Sequence, residues 1–237
     1  MKKIEYKWIA LSCTSLGALF SVLSGSTLLI ALPVIMKDLH VSMNVIIWTI
    51  MIYMLAITIF VPSIGRVADM IGRKMLYVWG FIIFTIGSVL CGLSNTGWEL
   101  LLFRLVQSIG GALLVANSAP LITDAFPKGE LGMALGINSM IINIASVIGP
   151  ILGGLLIHAG WRYIFFINLP IGLIGSIWAW IQLKELDVLP AKQKFDWGGA
   201  ATFTIGMTTL LLGLTLGGFF GWSSTLVIGL FVAAVTF

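Results

Sequence analysis

Long stretches without charge constrain this sequence more than any other feature. Six apolar blocks, each longer than 20 residues, hold no charged side chain apart from Arg104: Ile9–Met36, Val41–Gly65, Met75–Trp98, Leu100–Thr123, Leu131–Ile157 and Tyr163–Leu183. An α-helix rises about 1.5 Å per residue, so each block is long enough to cross a hydrocarbon core of about 30 Å. Only 9% of the residues are charged, against about 25% in soluble domains. The sequence therefore predicts an all-α membrane protein with the lipid bilayer as its solvent.

The last 41 residues, 197–237, are also uncharged and are too long for one crossing. Turn-forming and interfacial residues divide them, namely Gly217, Gly218, Gly221, Trp222, Ser223 and Ser224. We therefore predict a seventh helix over Trp197–Leu216 and a partial eighth helix from about Thr225. The predicted organisation is a six-helix bundle over 1–183, a cytoplasmic linker over 184–196, and two extra helices over 197–237.

The distribution of Lys and Arg predicts the orientation. With the N-terminus inside, the outer segments hold only Lys37 and Arg162, and Arg104 lies in the membrane. The other ten basic residues then fall in inner segments: Lys2, Lys3, Lys7, Arg66, Arg73, Lys74, Lys128, Lys184, Lys192 and Lys194. This positive-inside bias predicts a multi-pass protein of the cell membrane with a cytoplasmic N-terminus. Because no run of basic residues occurs, nucleic acid is not a predicted partner.

A charged motif, Gly65-Arg66-Val67-Ala68-Asp69-Met70-Ile71-Gly72-Arg73-Lys74, separates the second and third blocks. We interpret it as a loop in which Gly65 and Gly72 permit a tight, closely packed turn. Asp69 either caps the start of helix 3 or pairs with a nearby cation. Arg73 and Lys74 are expected to anchor the loop at the inner surface.

Arg104 is the one charged residue inside a block. A charge within a membrane span is costly and usually faces the bundle interior. A shared helical face also carries Gln107, Ser108, Gly111 and Ser118, and we expect that face to line a cavity. The alternative is that Arg104 extends along the helix to the membrane surface.

The fifth block carries small and polar residues on one face: Ser139, Asn143, Ser146, Pro150 and Gly153. Such a face permits close helix contact and sliding. Pro150 lacks a backbone N–H and so frees the carbonyl of Ser146. The alternative is plain small-residue packing without a functional role.

Three of these segments together resemble the major facilitator superfamily. Residues 65–74 resemble G-x-L-A-D-x-x-G-R-K, residues 104–110 resemble R-x-x-Q-G-x-G, and residues 149–154 resemble G-P-x-x-G-G. The segment 160–172 is similar to the entry into helix 6 of the fourteen-helix drug:proton antiporters. This resemblance covers almost the whole chain and implies the N-terminal bundle of such a transporter, built as a 3+3 inverted repeat.

The resemblance also implies roles for individual residues. Export of small organic or drug-like compounds by alternating access is the implied activity, with a cavity lined by Ser24, Thr27, Arg104, Gln107 and Asn143. The segment 65–74 would form a cytoplasmic gate that stabilises one conformation. The glycines and proline of residues 149–154, namely Gly149, Pro150, Gly153 and Gly154, would allow the two halves to move.

Two departures from the family pattern leave the coupling open. Ser24 stands where the family usually has an Asp, and no replacement Asp or Glu is predicted within any of the helices. Leu131 stands where an Arg is frequent. A proton gradient is thus an open question, and no other cofactor and no metal site is predicted.

Two functions are consistent with the sequence. The first is a secondary transporter of an unidentified small organic substrate. The second is a non-transporting fragment, or a half that needs a second half or a homodimer. An intramembrane enzyme is not predicted, because paired carboxylates and a Ser/His dyad are missing from the apolar blocks.

Overall fold

The computed structural model describes residues 5–185 and 196–237, and these residues form helices joined by short turns. The helices are α1 (Tyr6–Asp38), α2 (Met43–Ile71), α3 (Arg73–Leu93), α4 (Gly97–Ala125), α5 (Leu131–Ile157), α6 (Tyr163–Phe166), α7 (Asn168–Gln182), α8 (Trp197–Phe220) and α9 (Thr225–Thr236). Within the described residues, seven spans are long and apolar enough to cross a membrane, with α6 and α7 counted as one. The all-helical membrane fold is confirmed.

Several helices continue beyond the predicted ends. The segment 65–74 is not a loop, because α2 runs through Gly65 to Ile71 and only Gly72 separates it from α3. Similarly, α8 continues through Gly217 and Gly218 to Phe220. The chain turns at Gly72 (φ 110°) and at Gly221 (φ 84°), where glycine tolerates a positive φ. A continuing helix satisfies its own backbone hydrogen bonds, so each of these helices ends only where a residue leaves the helical conformation.

The sixth span, predicted as one helix, is interrupted at a single residue. Helix α6 ends at Phe166 and α7 begins at Asn168, but Ile167 between them keeps helical angles (φ −60°, ψ −24°). Pro170 has no N–H to donate to Phe166, which loosens the hydrogen bonding at this point. The interruption is therefore local, and Asn168 lies inside one span, Tyr163–Gln182.

Packing in the bundle places α4 against both α2 and α3, and α1 against α5. Helices α3 and α4 approach closely at Gly110, where an added Cβ would overlap the backbone N of Phe84. An aromatic core joins α1 to α3, with the rings of Phe20 and Phe84 at 4.4 Å between centroids. The α8–α9 pair contacts the rest of the bundle through α2.

The outside of the bundle is apolar. Large side chains such as Val147, Leu155, Trp180 and Ile181 are each more than 60% exposed. Contiguous apolar surface on this scale is stable in lipid and not in water. The protein is therefore a multi-pass membrane protein. The cytoplasmic N-terminus and the division of the chain into three parts stay predictions, and most of the linker over 184–196 lies outside the described residues.

Candidate functional site

Arg104 is fully buried in the middle of the bundle. Its Nε donates to the carbonyl of Thr49 at 3.2 Å, and its Nη1 donates to Oε1 of Gln107 at 2.6 Å. The guanidinium lies 4.3 Å from the ring centroid of Tyr53, a cation–π contact. The side chain thus points into the bundle interior, as predicted, and does not reach the membrane surface.

Ser24 links α1 to this group. Its hydroxyl oxygen accepts from Nε2 of Gln107 at 3.1 Å and from Nδ2 of Asn168 at 3.2 Å. Asn168 also donates to Ser88 at 2.8 Å, and Ser88 donates to the carbonyl of Phe165 at 3.0 Å. We call the connected residues the Arg104 cluster; they are Ser24, Tyr53, Ser88, Arg104, Gln107 and Asn168.

Two buried polar atoms of the Arg104 cluster have no hydrogen-bond partner, Nη2 of Arg104 and Oδ1 of Asn168. The ion pairs in the described part of the chain do not include Arg104 either. A buried donor without an acceptor costs about 1–3 kcal/mol, and a charged side chain in a spanning helix costs about 3 kcal/mol on insertion scales. The cluster therefore holds a positive charge that neutral groups only partly compensate.

A cavity lies beside the Arg104 cluster, and Tyr53 forms part of its wall. The cavity has a volume of about 360 Å³ and is lined by residues of α1, α2, α4 and α5, including Ser21, Ser26, Val115 and Ser146. The hydroxyl of Tyr53 is 2.9 Å from that of Ser21. Since Arg104 does not line the cavity, the Tyr53 ring separates the guanidinium from it.

The predicted absence of carboxylates from the helices is wrong, because the helices are longer than the apolar blocks. Four acidic residues lie within helical spans, Asp38, Asp69, Glu99 and Asp124. They occupy the first or last two turns and do not contact Arg104. Asp38 accepts from the indole of Trp161 at 2.8 Å and from Arg162 at 2.9 Å, at the end of the bundle where α1 ends.

Arg73 lies at the opposite end, among three carboxylates. Its guanidinium donates to Asp69, from Nη2 at 2.7 Å and from Nε at 3.0 Å, and also to Asp124 of α4. Of the two roles predicted for Asp69, pairing with a cation is the one observed, and its side chain does not cap α3.

Glu185 completes this group, which we call the Arg73 cluster (Asp69, Arg73, Asp124 and Glu185). Its carboxylate accepts from the backbone N–H of Arg73 at 2.7 Å and from that of Lys74 at 3.1 Å. These two N–H groups have no partner within α3, because they lie in its first turn, where negative charge is favoured. A Cβ on Gly72 would lie 2.6 Å from Glu185 Oε2, so glycine lets the carboxylate approach.

The glycines of α5 pack against α1. An added Cβ at Gly149 would overlap Ser26, and one at Gly153 would lie 2.6 Å from the carbonyl oxygen of Thr27. Gly154 points into open space. Thr27 is buried in this contact, one turn from Ser24, and its hydroxyl donates to the backbone carbonyls of Leu23 and Ser24 rather than to a side chain of the Arg104 cluster.

Asn143 is not brought to Arg104. Its side chain is exposed and lines an open groove of about 520 Å³ with Gly136, Ser139 and Val147. The remaining gate residues take ordinary positions: Gly65 is helical with no atom near its missing side chain, and Lys74 Nζ is 5.8 Å from the ring of Trp180.

Comparison with known proteins identifies the family. Residues 14–235 match the sequence profile of the Major Facilitator Superfamily. The chain belongs to this superfamily. The riboflavin transporter RibZ of Clostridioides difficile (strain 630) is 38% identical over 213 residues, which cover 89% of this chain and 46% of RibZ. Multidrug resistance protein 3 of Bacillus subtilis (strain 168) is 35% identical, with coverage of 100% of this chain and 46% of that protein.

A solved major facilitator structure has the same fold. The inward-facing, unoccupied crystal structure of a bacterial homolog of the human lysosomal transporter Spinster superposes with a TM-score of 0.68 at 20% identity, covering 98% of this chain and 60% of that one. The superfamily predicted from the motifs is confirmed. The chain spans a little under half the length of RibZ and of multidrug resistance protein 3.

Five members of the two clusters in this major facilitator chain were not predicted from the sequence. Asn168, Ser88 and Tyr53 join Arg104 from other helices, and Asp124 and Glu185 join Arg73. Asn168 carried a usable signal, since it is an amide inside an apolar block and stands two residues before Pro170. The other four had none that separates them from ordinary helix residues.

Proposed function

We propose that this chain is part of a secondary active transporter that exports small organic, drug-like compounds by alternating access. The observation that carries the proposal is the buried Arg104 cluster beside an apolar cavity between α1, α2, α4 and α5. Buried polar and charged groups in a membrane domain are expensive, so they mark functional positions. The relatives named as a multidrug resistance protein and a riboflavin transporter support transport of small organic molecules.

The substrate site in this proposal is the cavity between α1, α2, α4 and α5. Ser24, Arg104 and Gln107 supply hydrogen-bonding groups behind its wall, and Thr27 holds α1 against α5. Apolar side chains give a drug-sized molecule its affinity, and a few polar groups orient it. Asn143, on the exposed groove of α5, would contribute where that face meets further protein.

The Arg73 cluster is proposed to act as the gate, with Gly65, Asp69, Gly72, Arg73 and Lys74 at one end of the bundle. Its ion pairs join α2, α3 and α4 into one unit, which favours the conformation in which they are intact. The close α1–α5 contact at Gly149, Pro150, Gly153 and Gly154 would allow small movements between these helices. Movement of packed helices around a central site is the basis of alternating access.

A second candidate is a half that transports only after assembly with a second half, or a fragment that does not transport. The exposed face of α5 favours it, because Ser139 and Asn143 place polar groups on an otherwise apolar surface. Polar side chains on such a surface are better satisfied by another helix than by lipid. A second half or a second copy of this chain would cover them.

A flux assay tests the proposal. The chain is reconstituted in vesicles, and export of a fluorescent drug-like dye is followed with and without a pH gradient. Arg104→Ala is expected to insert normally and lose export, whereas the matched control Lys128→Ala, which removes an exposed cation, keeps it. Wild-type flux in Arg104→Ala would refute the assigned role.

Size in detergent separates the two candidates. A dimer with flux supports an assembled transporter. A monomer without flux supports the fragment. Dependence of flux on the pH gradient would show whether protons drive export although Ser24 replaces the usual carboxylate.

A further inference from the structure

The Arg104 cluster differs from the sites of Arg73 and Arg162 by its net charge. Arg73 pairs with Asp69 and Asp124, and Arg162 pairs with Asp38. Arg104 has only the carbonyl of Thr49, the amide oxygen of Gln107 and the ring of Tyr53. Its Nη2 has hydrogens to donate and no acceptor. Over residues 5–185 and 196–237, therefore, the centre of the bundle carries an uncompensated positive charge.

The second partnerless atom, Oδ1 of Asn168, is an acceptor, so it would take a donor group of a ligand rather than its anionic group. Oδ1 of Asn168 lacks a donor, although the Nδ2 of the same amide bonds both Ser24 and Ser88. The hydroxyl oxygen of Ser24 accepts two hydrogen bonds, so its own hydrogen is not committed to Gln107 or Asn168. A ligand that enters this cluster meets two donors, a guanidinium N–H of Arg104 and the hydroxyl hydrogen of Ser24, and one acceptor, Oδ1 of Asn168. The positive charge of Arg104 and its free donor suit the carboxylate of an organic anion.

We propose that the cavity takes small organic anions, whose carboxylate or similar group accepts a hydrogen bond from Nη2 of Arg104, and that it discriminates against organic cations. This inference rests on the proposed transport function and narrows its substrate class. The predicted preference for anions depends on the neutral side chain of Ser24. A carboxylate at that position would neutralise the charge of Arg104 through Gln107 and remove the preference.

Tyr53 controls access to the guanidinium. Its ring lies between Arg104 and the cavity, and its hydroxyl bonds the side chain of Ser21 at 2.9 Å and is 3.3 Å from the Ser21 carbonyl. A carboxylate arriving in the cavity reaches Nη2 when this ring rotates away from α1. The guanidinium then exchanges a cation–π contact for a charge-assisted hydrogen bond, which is the stronger of the two.

The test compares two probes of matched size and opposite charge, benzoate and benzylammonium. Their equilibrium binding to the detergent-purified chain is measured by calorimetry at neutral pH and constant ionic strength. Benzoate is expected to bind at least about tenfold more tightly than benzylammonium, a modest ratio for one ion pair shielded from water. Equal affinities, or a preference for the cation, would overturn the inference.

Variants identify the source of the preference. Ser24→Asp and Arg104→Met are each expected to remove it, whereas Arg104→Lys retains part of it and Lys128→Met leaves it unchanged. Ser24→Asp keeps Arg104 in place, so it stays informative if Arg104→Met does not fold, which size-exclusion chromatography would reveal. A benzoate preference that survives Ser24→Asp would also contradict the inference.

The outcome is independent of the flux assay. A chain that exports a dye but binds both probes equally would keep the proposed function and lose the anion site. A chain that prefers benzoate but exports nothing would lose the transport proposal and retain a binding site.

Discussion

Arg73 and Arg104 differ in what surrounds their guanidinium groups. Arg73 lies at one end of the bundle, is about one-fifth exposed, and contacts the carboxylates of Asp69 and Asp124. Arg104 is fully buried and contacts neutral groups. Both guanidinium groups bond groups of neighbouring helices, so geometry alone does not distinguish them. The difference is charge compensation.

This difference in charge compensation indicates different roles for the two arginines, with Arg73 stabilising the bundle and Arg104 binding a ligand. An ion pair that is compensated and partly hydrated contributes modestly to stability and fixes the relative positions of helices. A buried charge without a counter-ion does not stabilise the bundle in this way, so its presence indicates another use. The Arg73 cluster is therefore expected to matter for stability and conformation, and the Arg104 cluster for ligand binding.

If the Arg104 cluster serves ligand binding rather than stability, then helix packing, and not charge, must hold Ser24 in place. Gly153→Leu tests this, since its side chain would collide with the backbone of Thr27, one turn from Ser24. Overpacking against a backbone that cannot shift costs about 3 kcal/mol or more, so we expect little folded protein by fluorescence-detected size-exclusion chromatography. The matched control, Gly154→Leu, projects into open space and should fold normally. Equal behaviour of the two variants would show that the α1–α5 contact is dispensable.

Arg73→Met should produce the next largest effect. It leaves the carboxylates of Asp69 and Asp124 without their cation, and that of Asp124 is only 12% exposed. We expect a loss of about 2 kcal/mol, less than for a fully buried pair because water reaches the cluster. Thermal unfolding in detergent measures it, with Lys128→Met as the control for a lost cation. An unchanged midpoint would mean that the cluster does not stabilise the bundle.

Glu185→Gln should have a smaller effect. It weakens the hydrogen bonds to the N–H groups of Arg73 and Lys74, for which capping energies are about 1 kcal/mol. Hydrogen exchange should accelerate at the start of α3 and stay constant at the start of α4, which Thr96 caps independently. Uniform exchange across both helices would argue against a local capping role.

The spans were predictable because their physical cause lies within each segment. Uncharged runs longer than 20 residues have one stable form in lipid, and α5 has the predicted bounds, Leu131–Ile157. The ends were less predictable. Helix α2 continues past Gly65 because Arg66 and Asp69 are compatible with a helix that emerges from the apolar region, and charge marks the membrane boundary rather than the helix end.

In the two clusters, only contacts within one helix were predictable, again because their cause lies within a single segment. Arg104 and Gln107 are three residues apart on one helix, so their contact follows from helical geometry. The contacts of Ser24 with Asn168 and of Arg73 with Glu185 span 144 and 112 residues. They depend on how helices rotate against each other, which close packing at positions such as Gly110 decides. Periodicity within one segment carries no such information.

Arg104→Met should have the smallest effect on stability, and it is the sharpest test of the comparison. The variant loses two hydrogen bonds and a cation–π contact, each worth about 1 kcal/mol. It also leaves Oε1 of Gln107 without its donor, which costs about 1 kcal/mol more. Against this, it removes a buried charge, which costs about 3 kcal/mol in a span, and Met fills much of the same volume. The Thr49 carbonyl keeps its own helical partner. The losses and the gain therefore differ by only about 1 kcal/mol.

We therefore expect the unfolding midpoint of Arg104→Met to match that of the wild type within about 1 kcal/mol, while Arg104→Lys, which keeps the charge but loses the planar fork, is less stable. A loss as large as that of Arg73→Met would mean that Arg104 is already compensated by an anionic partner in the folded protein. The contrast between the two arginines would then disappear, because both would act as structural ion pairs and the centre of the bundle would carry no charge available to a ligand.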